Sequence, residues 1–114
     1  PQVEAAARIG AKVCEIHTGH YAHAFYAKGR DAESPAVLAE IDKIARAGEA
    51  IRGLGMRFNA GHALNYFNVQ PVARLPGIRE LHIGHAIVSR AVFVGLREAV
   101  AEMKRLMREV QSNA

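Results

Sequence analysis

The strongest constraint on this chain is the alternation of its hydrophobic period. Residues 2–10 carry apolar side chains at Val3, Ala6, Ala7 and Ile9 and then Gly10, the spacing of a short amphipathic helix with a glycine stop. Residues 12–17 read KVCEIH, with Val13 and Ile16 suited to a strand. Residues 18–33 show no clean period and read as a loop with a short helical piece. Ser34-Pro35 is an N-cap followed by proline at the first helical position. Val37, Leu38, Ile41, Ile44, Ala45, Gly48 and Ile51 continue at helical spacing until Gly53 and Gly55. Residues 56–60 form a second strand, 61–67 a polar turn, 69–75 a short helix closed by Pro76-Gly77, and 80–83 a third strand. Residues 86–94 are helical, Gly95 breaks the run, and Leu96, Val100, Met103, Met107 and Val110 mark the inner face of a last amphipathic helix.

The order α-β-α-β-α-β-α predicts parallel strands joined by crossover helices. Three strands are too few to close a parallel barrel, and as an open sheet they leave both outer strands as bare edges. The chain also opens inside a helix. The expectation is a single partial domain over residues 1–114, a piece of a longer protein, since a complete barrel takes roughly 200 residues or more.

Composition narrows the class. Half of the 114 residues are hydrophobic and 23 % are charged, which fits a packed globular chain rather than a disordered one. Cys14 is the sole cysteine, so no disulfide can form within the chain. The longest apolar run, residues 91–96, is too short to span a bilayer. A net charge of +4 suits either nucleic acid or small phosphorylated ligands. The basic residues lie beside acidic ones, as Lys104, Arg105 and Arg108 do beside Glu102 and Glu109, and no aromatic residues alternate with them. That pattern reads as a solvated, paired surface rather than a stacking platform for nucleic acid.

Chemistry in parallel α/β proteins gathers at the C-terminal ends of the strands. Each predicted strand here ends in glycine beside polar or ionisable groups: EIHTG from Glu15, NAGHA from Asn59 and HIGHA from His82. Glu15 stands in an otherwise apolar strand. Facing inward, it would be desolvated and its pKa raised, so that it serves as an acid or, ionised, stabilises a cation. The plainer reading pairs it with a basic core residue. His17, two residues on, faces the same way. His17, His20 and His23 recur every three residues, which raises a metal site; the spacing matches no strong zinc pattern, and one core histidine with two surface ones fits as well. His62 follows a glycine at a strand end and can exchange a proton near neutrality, or else simply bond to backbone; Asn59 is placed to orient it. Gly84-His85 opens a helix, where free N–H groups and the helix dipole favour an anion, or a bare turn suffices. The lysines, Lys12, Lys28, Lys43 and Lys104, all lie away from strand ends, which disfavours Schiff-base chemistry.

The stretches EIHTGHYA (15–22), NAGHALNYFNV (59–69), ELHIGHAIVSRAV (80–92) and LREAVAEMKRLM (96–107) together resemble the C-terminal half of the pyridoxine 5'-phosphate synthase family. The resemblance implies the C-terminal half of a (β/α)8 TIM barrel, with parallel strands and an amphipathic C-terminal helix. It implies a cytoplasmic synthase of vitamin B6 biosynthesis. Such enzymes condense 3-amino-2-oxopropyl phosphate with 1-deoxyxylulose 5-phosphate, releasing pyridoxine 5'-phosphate, inorganic phosphate and water, without metal or organic cofactor. His62 then matches the proton donor and Glu15 the residue that stabilises charged intermediates. Gly61, Ala63, Gly84 and His85 match positions that hold substrate or phosphate. Ala63 stands where the family usually has glycine, which matters if the backbone there has positive φ. The implied partners are the phosphorylated substrates, the N-terminal half of the same barrel and further copies in a homo-oligomer, an octamer by resemblance, with no nucleic acid and no membrane. The segment 23–34 looks longer than in the family. Another phosphate-binding barrel of isomerase or aldolase type is the alternative, and a basic nucleic-acid module a more remote one.

Overall fold

The computed structural model describes residues 1–111. Its elements run α1 (Gln2–Arg8), β1 (Val13–His17), α2 (Gly19–Ala27), α3 (Pro35–Gly53), β2 (Arg57–Gly61), α4 (Val69–Ala73), β3 (Ile78–His82), α5 (His85–Val94) and α6 (Leu96–Gln111). The described strands form one three-stranded sheet in the order β1-β2-β3, parallel throughout. The alternation predicted from sequence is therefore the alternation observed.

The register divides the sheet into two unlike faces. Glu15 pairs with Asn59 and His17 with Gly61; Asn59 in turn pairs with Glu80 and Gly61 with His82. With a side-chain period of two, these residues share one polar face. Cys14, Ile16, Phe58, Ala60 and Leu81 share the other, and that face packs with Tyr21, Phe25, Val37, Ile44 and Ile51 of the helices in one apolar core. A bulge between Phe58 and Asn59 sets the polar layers of β2 and β3 in line.

Three readings from sequence need correction. The helical piece expected after β1 takes up more of that stretch than its sequence suggests: residues 19–27 form α2, because Tyr21, Ala22 and Phe25 are buried and the packing outweighs a weak periodic signal. Thr18 sits at its N-cap without a side-chain capping bond, because the hydroxyl is engaged elsewhere. The inner line of α6 is Ala99 and Met103, whereas Leu96 is 61 % exposed and Val100 also faces outward. Ser34 does cap α3 by position, but no side-chain hydrogen bond goes with it.

Close approach explains one interior glycine of α3. A Cβ at Gly48 would lie 2.3 Å from Cε2 of Phe58, whose ring is fully buried and has nowhere to move. At Gly53 the same atom would meet nothing within 4 Å. We expect Gly48→Ala to destabilise the full-length protein by about 1–3 kcal/mol through overpacking. Gly53→Ala should be neutral or slightly stabilising. Urea denaturation of both variants checks the contrast.

Candidate active site

Because the strands are parallel and in register, His17, Gly61 and His82 end at the same edge of the sheet. The loops that follow them enclose a cavity of about 580 Å³. Glu15, His17, His62, Ala63, His82, Gly84 and His85 line it. Of the six residues singled out from sequence, five thus meet at one cavity. Gly61 lies behind them, buried in β2.

The turn after β2 is held by a dense polar scaffold. Thr18, fully buried, donates its backbone N–H to the Gly61 carbonyl at 2.8 Å. Its hydroxyl lies 2.8 Å from that same carbonyl and 2.6 Å from the carbonyl of His62, so a single proton is shared between the two. Asn68, also fully buried, accepts from the Asn65 N–H at 2.8 Å and donates to the Ala63 carbonyl at 3.0 Å. Asn65 in return accepts from the N–H groups of Phe67 and Asn68. The Tyr21 phenol donates to the Asn68 carbonyl at 2.6 Å. Burial pushes the Tyr21 pKa well above its ordinary value, against a smaller opposing effect of Arg74. These bonds hold His62 at φ 92° and Ala63 at φ 59°, a region that side chains other than glycine rarely adopt. Each such residue stores on the order of 1–3 kcal/mol, which the scaffold must offset. The question raised by Ala63 is answered: its φ is positive, and alanine there is strained.

His62 projects toward solvent at the cavity mouth and stacks on His17, ring centroids 3.9 Å apart. Nδ1 of His17 accepts the Gly19 N–H at 3.1 Å, so in its neutral form His17 carries its proton on Nε2.

Glu15 departs from expectation. Its carboxylate pairs with Nδ1 of His82, a partner that is neither a bound cation nor a basic core residue. His82 also approaches Glu80 through Nε2 at 3.3 Å. Asn59 does not orient His62: its amide nitrogen lies 3.5 Å from Nε2 of His82, while its buried Oδ1 has no partner among the described residues. His82 and Glu80 were not singled out by sequence reasoning. The signal that could have found them was the period-two alignment of Glu80 and His82 with the ends of β1 and β2. Thr18 was missed for a similar reason, since a threonine after a strand looks like a cap.

At Gly84 a Cβ would meet nothing within 4 Å, so no neighbouring side chain demands glycine there. The residue is the N-cap of the ten-residue α5, and Gly84, His85 and Ala86 line the cavity. The metal reading of the histidine triplet finds no geometric counterpart. His20 and His23 are exposed on α2, and no group of three or more metal-ligating side chains gathers among the described residues. No described helix is long and apolar enough to cross a membrane.

Residues 1–109 match the protein family described as pyridoxal phosphate biosynthesis protein PdxJ. The chain is similar to the pyridoxine 5'-phosphate synthase of Azoarcus sp. (strain BH72), with 87 % identity over 108 residues, 95 % of this chain and 43 % of that protein. The synthase of Dechloromonas aromatica (strain RCB) is 85 % identical over the same shares. That of Rhodopirellula baltica is 51 % identical over 109 residues, 96 % of this chain and 41 % of the relative. The chain thus spans less than half the length of the curated relatives it matches.

Two outcomes follow from the scaffold. Ala63→Gly should leave stability unchanged or raise it by up to about 1 kcal/mol, whereas Ala63→Val should cost more than 1 kcal/mol at this positive φ. Thermal melts of the full-length protein read the difference. Tyr21 keeps its proton in the folded state above the unfolded value of 10.0. Its contribution is therefore full below that pH and is lost as pH rises through the folded value. As pH rises above about 10, wild-type stability should fall more steeply than that of Tyr21→Phe, which itself starts about 1 kcal/mol lower for want of the bond to Asn68.

Proposed function

Because the chain belongs to the pyridoxal phosphate biosynthesis protein PdxJ family, we propose that it supplies one wall of the active site of a pyridoxine 5'-phosphate synthase. The full-length protein, on this reading, is a cytoplasmic (β/α)8 barrel, of which this chain is the C-terminal half. It condenses 3-amino-2-oxopropyl phosphate with 1-deoxyxylulose 5-phosphate to pyridoxine 5'-phosphate, phosphate and water. One observation carries the reading: Glu15, His62, Ala63, Gly84 and His85, drawn from the ends of three different strands, border one cavity.

The division of labour follows from that arrangement. Joining an amine to a ketone develops positive charge on nitrogen. The Glu15 carboxylate stabilises that charge most effectively where water is thinned out by bound substrate. Loss of water or phosphate needs a proton on the departing oxygen. His62, solvent-facing on a strained turn and stacked on His17, is the group to deliver it. A phosphate is held by the N–H groups at the start of α5, at Gly84 and His85, where the helix dipole favours an anion. Ala63 belongs to the turn that receives the other end of the substrate, and Gly61, at the end of β2, backs that turn. The remaining strands and phosphate-binding side chains come from the other half of the barrel, and the barrels associate into a homo-oligomer, as the family resemblance implies.

The test is turnover by the full-length protein. Wild type should form pyridoxine 5'-phosphate from the two phosphorylated substrates. His62→Ala should lower kcat by about 100-fold or more with the fold intact, the typical contribution of a positioned proton donor. Residues 1–114 alone should give no product. A folded wild type that makes none refutes the synthase reading, and an unimpaired His62→Ala removes His62 from the chemistry.

A further inference from the structure

His82 has no part in the reaction as proposed, yet it is the most connected side chain on the polar face. Its ring reaches from β3 to Glu15 on β1, although β2 lies between them. Adjacent strands are about 4.8 Å apart, so such a contact spans roughly 10 Å of sheet and must pass over whatever β2 presents. What β2 presents there is Gly61. A Cβ on Gly61 would fall 3.0 Å from Cβ of His82, 3.0 Å from its carbonyl oxygen and 3.4 Å from the Glu15 carboxyl carbon. The glycine leaves open the corridor through which imidazole and carboxylate meet. At its far side the ring is flanked by Glu80, 3.3 Å from Nε2, and by the buried Asn59 amide at 3.5 Å. A ring held at both nitrogens has a fixed plane.

We propose that His82 is a positioning residue for Glu15. Through Nδ1–H it grips one carboxylate oxygen, Oε1, which leaves Oε2 for the ligand and sets the carboxylate at the cavity edge. At Nε2 the imidazole is held in that orientation by the Glu80 carboxylate when that nitrogen carries a proton and by the Asn59 amide N–H when it does not, and Gly61 keeps the path clear. The inference rests on the reading of Glu15 as the group that stabilises developing positive charge. A glutamate is a long, flexible side chain, and without such a grip it spends part of its time in unproductive rotamers.

The experiment uses the full-length protein and two independent readouts. In 15N NMR spectra the Nδ1 resonance of His82 should move on Glu15→Gln. In steady-state kinetics, His82→Leu should lower kcat by on the order of 100-fold with KM little changed, the cost of a misplaced catalytic group. His82→Asn keeps an N–H donor and should recover most of that loss. The double variant Glu15→Gln/His82→Leu should be no slower than Glu15→Gln, because the two act as one unit. A wild type without synthase activity brings down the parent reading together with the kinetic role. An active wild type with an unimpaired His82→Leu, or with penalties that multiply in the double variant, overturns the positioning role alone. An Nδ1 resonance indifferent to Glu15→Gln refutes the contact itself, whatever the kinetics.

Discussion

The geometry of the strand ends depends on one buried residue, Thr18. A parallel sheet holds its strands together along their length, but nothing in the ladder fixes what the chain does after the last pair. Thr18 does this by bonding the Gly61 carbonyl through its backbone and sharing its hydroxyl proton between Gly61 and His62. Without it, two carbonyls would lose partners in a site from which Thr18 itself is wholly shielded, at roughly 1–3 kcal/mol each. The same contact joins the start of α2 to the end of β2, so the helix, the strand and the strained His62–Ala63 turn form one rigid unit. Asn65, Asn68 and Tyr21 extend that unit from the other side.

The second constraint is the unlike character of the two sheet faces. Parallel sheets are usually apolar on both sides. Here one side is, with Phe58 and Ala60 fully buried beneath the helices, while the other carries Glu15, Asn59, Glu80, His17 and His82 in register. Charged groups collected in this way are costly unless they neutralise one another or serve a ligand. The Glu15–His82–Glu80 chain does the first at most in part, with two carboxylates set against one imidazole through two contacts. Its position at the cavity edge is what allows the second.

Much of this was legible in the sequence. The alternation of periods predicted the parallel order. The rule that chemistry collects at strand C-termini brought Glu15, His62, Gly84 and His85 together before any coordinates, and the family resemblance added Ala63. What escaped was whatever depended on side chains meeting across strands. Asn59 was matched to His62 because they are three residues apart, yet adjacent residues of a strand face opposite ways and a turn intervenes, so its amide meets His82 instead. Glu15 was not matched to His82, because that contact passes over the whole of β2. The extent of helix α2 escaped because its buried face consists of only Tyr21, Ala22 and Phe25, too few for a periodic signal.

The central claim is that the cavity at the three strand ends is where pyridoxine 5'-phosphate forms. The most direct test is a crystal structure of the full-length protein with that product bound. The account predicts its ring between Glu15 and His62, with the phosphate on the backbone of Gly84 and His85 at the start of α5. Product well ordered elsewhere in the protein, with none of these residues in contact, would contradict it.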